Sequence, residues 1–167
     1  IKKELKNTCS SFEENIKIGI MIEVPSSAIM CDKFAPFCDF FSIGTNDLIQ
    51  YVMATDRTNE DLNYLYSNYH PSILRLITNV AAIAKKNNIS CSVCGELASD
   101  RYMIPTLLGL GIKKISVSPG DLLATRKLLS KISTTEAQQL GNAVLNLSTS
   151  GQVLDYLKHT CKKLGYI

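Results

Sequence analysis

"CDFFSIG", residues 38–44, is an almost continuous apolar run that stops at a glycine, and polar residues follow it at once: Thr45, Asn46 and Asp47. A short run of this kind is expected of a parallel strand covered on both faces. Three more stretches have the same character: "KIGIMIE" (17–23), "ISCSVCG" (89–95) and "KISVSP" (114–119). Helical patterns fall between them. "PSSAIMCDKFAPF" (25–37) opens with Pro25 and two serines, good chemistry for a helix start. "HPSILRLITNVAAIAKKNN" (70–88) spaces Ile73, Ile77, Val80 and Ala84 at the helical period, with Lys85 and Lys86 in its last turn. "RYMIPTLLGLG" (101–111) is a shorter helix ended by Gly109 and Gly111.

Beyond the fourth run the pattern is helical only. "GDLLATRKLLSKI" leads to "STTEAQQLGNAVLNL", where Ser133 and Glu136 have capping-box spacing. "SGQVLDYLKHTCKKLG" then sets Val153, Leu157, Cys161 and Leu164 on one helical face. Strand and helix alternating four times predict an α/β fold of four parallel βα units. Four units are half of a (β/α)8 barrel, which needs roughly 250 residues. The expectation is therefore the second half of a TIM-type barrel followed by C-terminal helices, with two open edges and an uncovered inner face. The opening "IKKELKN" lacks a Met and reads, over the first ten residues, as a polar helix already under way, as in a piece of a longer protein.

Composition narrows the function classes. The chain has 167 residues, 46% of them hydrophobic, and a formal charge of only +3, so nothing suggests a nucleic-acid surface. The pairs Lys2–Lys3, Lys85–Lys86 and Lys162–Lys163 lie in or beside amphipathic segments and read as solvated faces. No apolar run approaches the ~18 residues of a membrane span, and no signal peptide is recognisable. The six cysteines (9, 31, 38, 91, 94 and 161) lack disulfide-framework spacing and read as reduced thiols in a cytoplasm.

The polar residues after each run carry the chemistry, since parallel α/β folds place their sites at the carboxyl ends of the strands. The first run ends in Glu23, the second passes to Asn46 and Asp47, and the third ends in Cys94, Gly95 and Glu96. Glu23 and Asp47 are hard oxygen donors suited to Mg2+. Each has a plainer reading: Glu23 as an acid ahead of a helix at Pro25, Asp47 as the N-cap of "LIQYVM". Arg57, in "DRTNED", is a bidentate phosphate clamp or a surface partner of Asp56 or Glu60. Cys94 is a reactive group or a buried thiol. Cys91 and Cys94 form C-x-x-C, but residues three apart on a strand point to opposite faces, which argues against a shared metal or a redox pair.

Taken together, "GIMIEVPSSA", "DFFSIGTNDLIQYVMATDR", "HPSILRLI" and "CGELASD" resemble, in order and spacing, the phosphoenolpyruvate-utilising enzymes. Among these the match is closest to enzyme I of the bacterial sugar phosphotransferase system, from about residue 16 to 130 and more weakly to the end. The resemblance implies that residues 1–167 are the C-terminal portion of a phosphoenolpyruvate-binding barrel domain, with strand–helix units over about 16–130 and terminal helices over about 133–165. By motif it implies Glu23 and Asp47 as Mg2+ ligands, with Asn46, Asp47 and Arg57 at the substrate. It implies Cys94 as the acid that protonates the enolate carbon as pyruvate forms, a task for which a thiol with a pKa near 8.5 is suitably protonated at neutral pH.

It further implies phosphoryl transfer to a histidine of a separate N-terminal domain, then to the carrier protein HPr, and a homodimer made by the barrel. Neither His70 nor His159 stands in a phosphoacceptor motif, so these 167 residues are not expected to complete the transfer alone. The alternatives are the C-terminal domain of a pyruvate phosphate dikinase or phosphoenolpyruvate synthase, and a non-catalytic dimerisation module.

Overall fold

The computed structural model describes residues 2–8 and 11–167, so Ile1, Cys9 and Ser10, and with them part of the expected first helix and the reduced state of Cys9, lie outside the described residues. In chain order the elements are α1 (Lys2–Asn7), β1 (Gly19–Ile22), α2 (Pro25–Ile29), α3 (Cys31–Phe34), β2 (Phe40–Gly44), α4 (Thr45–Val52), α5 (Pro71–Lys86), β3 (Ser90–Cys94), α6 (Glu96–Ser99), α7 (Met103–Gly109), β4 (Lys114–Ile115), α8 (Leu122–Leu129), α9 (Thr134–Val144) and α10 (Ser150–Lys163), with short 3-10 turns at Ala35–Phe37 and Glu60–Leu62. The four strands are parallel and stack in chain order, β1-β2-β3-β4. The sheet stays open and is followed by three helices, an arrangement consistent with part of a (β/α)8 barrel.

The two faces of the sheet differ. Ile22, Ile43, Val93 and Ile115 form one cross-strand row, and Ile20, Phe41 and Cys91 form the next. These side chains meet α2 and α5, and Ile22, Phe41, Ile43 and Val93 are fully buried. Met21, Ser42, Ser92 and Lys114 make the intervening row on the opposite face. Met21 is 47% exposed there. Helices cover one face and leave the other open, as expected of half a barrel, and the hydroxyls of Ser42 and Ser92 belong to that open face.

Helix α5 forms as its spacing predicts, with Pro71 at its start and Ile73, Ile77, Val80 and Ala84 buried on the sheet side. Each large aliphatic buried this way contributes roughly 1.5–3 kcal/mol. His70 caps it, its Nδ1 accepting the Ser72 N–H at 3.3 Å. The stretch 25–37 is not one helix: it divides at Met30 (φ −94°, ψ 13°) into α2 and α3 and finishes in the 3-10 turn over Ala35–Phe37. Pro36, which has no N–H to give, sits in that turn.

The fourth strand is only Lys114–Ile115, since its continuation pairs with no further strand among the described residues. At Ser133 only half of the expected capping box exists. The Ser133 hydroxyl accepts the Glu136 N–H at 3.5 Å, but the Glu136 carboxylate accepts the Tyr166 hydroxyl at 2.8 Å instead of turning back. A complete box stands at α10, between Thr149 and Gln152. Helices α7 and α9 cross at Gly109 and Gly141. A methyl at Gly109 would collide with the Ala137 carbonyl, and one at Gly141 would sit 2.7 Å from the Gly109 carbonyl carbon.

Candidate active site

Helix α4 springs directly from the end of β2. Gly44 is its N-cap residue (φ −84°, ψ 88°), so Asp47 lies inside the first turn and is not the cap. A Cβ on Gly44 would lie 2.9 Å from Glu23 Oε2 and 3.2 Å from Met21 Sδ. The missing side chain thus makes room for the Glu23 carboxylate, carried just past β1, to reach across the end of β2. Glu23 and Asp47 are both half-buried, and neither takes part in a hydrogen bond or ion pair among the described residues.

The turn after β3 interlocks with that first turn of α4. The buried Thr45 hydroxyl donates to the Cys94 carbonyl at 2.7 Å, and Asn46 Oδ1 accepts the Glu96 N–H at 2.9 Å. Gly95 between them has φ +97° and ψ −179°, and a methyl there would meet the Thr45 hydroxyl and lie 2.8 Å from Asn46 Oδ1. Only glycine adopts this conformation readily. With Oδ1 engaged, the amide nitrogen of Asn46 is left as the outward donor pair.

Cys94 is half-buried at the end of β3, beside Gly44 in the register. Its thiol donates to the Ile43 carbonyl at 3.5 Å and lies 3.8 Å from the Ser42 hydroxyl. Cys91 lies on the helix-covered face, where burial and then the neighbouring Cys31 push its thiol up to about 12. The two cysteines of the C-x-x-C therefore occupy different environments, and Cys31, Cys38, Cys91, Cys94 and Cys161 are all free thiols.

Arg57 is exposed on the loop after α4, its N–H held by Gln50 Oε1 at 3.2 Å. It makes no ion pair with Asp56 or Glu60 among the described residues; Asp56 instead accepts the Thr58 N–H and hydroxyl, both at 2.8 Å. Tyr66, a residue the sequence reading missed, stands in the middle of the group. Its hydroxyl donates to the Asn46 carbonyl at 3.4 Å. Burial raises its pKa, the charges of Glu96 and then Asp47 add to this, and the Arg57 guanidinium beside it works in the opposite direction. "NYLYSNYH" offers several tyrosines in a loop, and nothing local marks which of them faces α4.

The Tyr66 hydroxyl thus bonds to Asn46 and lies within reach of the charges of Glu96, Arg57 and Asp47. Glu23 joins them across Gly44, and Cys94 through Thr45. Glu23, Asn46, Asp47, Cys94 and Glu96 follow directly on the carboxyl ends of β1, β2 and β3, and Arg57 comes from the loop after α4. His70 caps α5 and His159 is exposed on α10, so neither joins the group. Two open grooves lie elsewhere: one of about 820 Å3 beside Tyr51, His70 and Arg75, and one of about 320 Å3 beside Arg101, Lys127 and Tyr166. None of the five expected site residues lines either groove.

Three carboxylates (Glu23, Asp47 and Glu96) against one guanidinium leave an excess of negative charge that a cation would relieve. No cluster of three or more His, Cys, Asp or Glu side chains stands ready for a metal among the described residues. Two carboxylates, Glu23 and Asp47, are donors of the kind Mg2+ takes together with substrate phosphate and water, and are too few for a closed zinc site.

The family model for the PEP-binding domain of PEP-utilising enzymes matches residues 1–134. The chain is 45% identical over 161 residues to the phosphoenolpyruvate-protein phosphotransferase of Bacillus subtilis, covering 96% of this chain and 28% of that protein. It is 46% identical over 144 residues to that of Enterococcus faecalis (86% and 25%) and 43% identical over 157 residues to that of Listeria monocytogenes (94% and 27%). The chain therefore spans about a quarter of the length of these relatives.

Proposed function

The chain belongs to the PEP-utilising enzymes, of which it carries the PEP-binding domain, and from that premise we propose that it forms the phosphoenolpyruvate site of a phosphoenolpyruvate–protein phosphotransferase. The observation that supports the reading is the placement of Glu23, Asn46, Asp47 and Cys94 at three adjacent strand ends, with Arg57 on the loop after α4. Glu23 and Asp47 would hold Mg2+, which when bound supplies charge neutralisation for the phosphate. The Arg57 guanidinium and the outward amide of Asn46 donate to phosphate oxygens. They stabilise charge without covalent chemistry, which is what phosphoryl transfer requires. As the phosphoryl group departs to a histidine, the enolate left behind needs a proton at its methylene carbon. The Cys94 thiol supplies it: the S–H bond breaks, the C–H bond forms, and pyruvate leaves.

In this reading the acceptor histidine comes from another part of the whole protein and passes the phosphoryl group to HPr, driving sugar uptake from the cytoplasm. No helix among the described residues is long and apolar enough to cross a membrane. The whole protein is a homodimer in this reading, supported by the exposed Ile29, Met30, Phe34 and Phe37 around α2 and α3. Calorimetric titration of the chain with phosphoenolpyruvate tests the proposal. Binding is expected to require Mg2+ and to weaken more than about tenfold in Asp47→Asn, with thermal unfolding unchanged. Binding indifferent to both Mg2+ and Asp47 would overturn it.

A further inference from the structure

We propose that Tyr66 is a positioning residue of this site: its hydroxyl fastens the loop that carries Arg57 to the first turn of α4, so that the guanidinium and the Asn46 amide face the same ligand. The inference deepens the phosphoenolpyruvate reading and rests on it for the identity of that ligand.

The loop between α4 and α5 runs from Met53 to His70 and contains no regular element except the turn Glu60–Leu62. Connections of this length without structure of their own are uncommon in compact folds unless they carry function. Its first part is braced internally. Asp56 accepts from Thr58, Asn59 Oδ1 accepts the Asp61 N–H at 3.0 Å, and the Thr55 hydroxyl donates to the Leu62 carbonyl at 3.4 Å. Its two ends are anchored on the body of the fold. At the start, Gln50 holds the Thr55 and Arg57 N–H groups at 3.0 and 3.2 Å. At the finish, the Tyr69 hydroxyl donates to the Asp100 carboxylate. Between these anchors, Tyr66 alone among the loop's described side chains bonds to α4, and it does so at Asn46.

The arrangement suits holding better than proton transfer. The hydroxyl proton is committed to the Asn46 carbonyl, and the Arg57 guanidinium is near enough for its charge to act on the phenol. The ring packs against the apolar core and fixes where the hydroxyl sits. Arg57, by contrast, is exposed and long, and a free arginine loses considerable rotamer entropy when a ligand immobilises it. A partner that orients the guanidinium beforehand lowers that cost.

Tyr66→Phe keeps the ring and removes the bond to Asn46 together with the hydroxyl beside which Arg57 lies. Hydrogen exchange of the 167-residue chain should show faster exchange over residues 53–66 with β2, β3 and α5 unchanged. Phosphoenolpyruvate with Mg2+ should bind roughly fivefold to tenfold more weakly. In an Arg57→Ala background the same substitution should cost less than about twofold, because the group being positioned is gone. Unchanged loop exchange, or equal losses in the presence and absence of Arg57, would overturn the proposal. If the unsubstituted chain fails to bind phosphoenolpyruvate, the ligand assignment fails, while faster loop exchange in Tyr66→Phe would still uphold the fastening.

Discussion

Gly95→Ala tests the junction on which the candidate site is built. The backbone there has φ +97° and ψ −179°, a region that costs a residue with a Cβ about 1–3 kcal/mol. The added methyl would also meet the Thr45 hydroxyl and approach Asn46 Oδ1 to 2.8 Å. These are the two groups that tie α4 to the end of β3 through the Cys94 carbonyl and the Glu96 N–H. Losing or stretching those bonds adds about 0.5–1.5 kcal/mol each. The expected destabilisation is therefore about 2–6 kcal/mol, a large share of the 5–15 kcal/mol typical of a domain. Urea unfolding followed by circular dichroism measures it, and with a slope of about 1–3 kcal/mol/M the midpoint should fall by at least about 0.7 M. Gly151→Ala is the control. Gly151 lies on α10, and a methyl added there would have nothing within 4 Å, so helix propensity alone should make alanine neutral or stabilising by up to about 1 kcal/mol. Equal midpoints for Gly95→Ala and the unsubstituted chain would refute the reasoning.

Cys94→Ala, made in the whole protein, should slow release of pyruvate far more than phosphorylation of the acceptor histidine, because the proton source is removed while the phosphate contacts remain. Rapid-quench measurement of the two half-reactions checks this, and equal losses in both would assign Cys94 to packing. At alkaline pH the fold should weaken. Burial, the first cause in each case, holds Cys91 at about 12, Cys161 at about 11 and Tyr166 at about 12, against ordinary values of 9.0 for a thiol and 10.0 for a phenol. The unfolded chain thus releases these protons first, so stability is fully present below about pH 9 and is lost as pH rises toward about 12. Thermal unfolding from about pH 8 to 11 should show a falling Tm with a shallower slope in Cys91→Ala, and a level Tm would contradict it.

Local patterns were legible and distant partners were not. The spacing of Ile73, Ile77, Val80 and Ala84 announces α5 because helical periodicity is complete within one segment. The polar residues after each apolar run mark the strand ends for the same reason, so Glu23, Asn46, Asp47 and Cys94 could be singled out before their neighbours were known. What required the register was hidden. Glu136 has capping-box spacing from Ser133, yet its carboxylate serves Tyr166 at the far end of the chain. Tyr66 meets Asn46 across the α4 turn and a loop. The apolar letters of β1 suit a strand covered on both faces, as in a complete barrel, while among the described residues helices cover one side of the sheet.

The chain-order stacking of the strands bears on how the protein is made. Each strand pairs with the one synthesised just before it: β2 lies on β1, β3 on β2 and β4 on β3. Among these four strands none has to wait for a partner that emerges much later within the chain. A growing chain can therefore add one strand and its helix at a time to an edge already in place. Helix α9 emerges after all four strands, and its Gly141 then seats on Gly109 of the already completed α7. The order of translation and the order of assembly coincide.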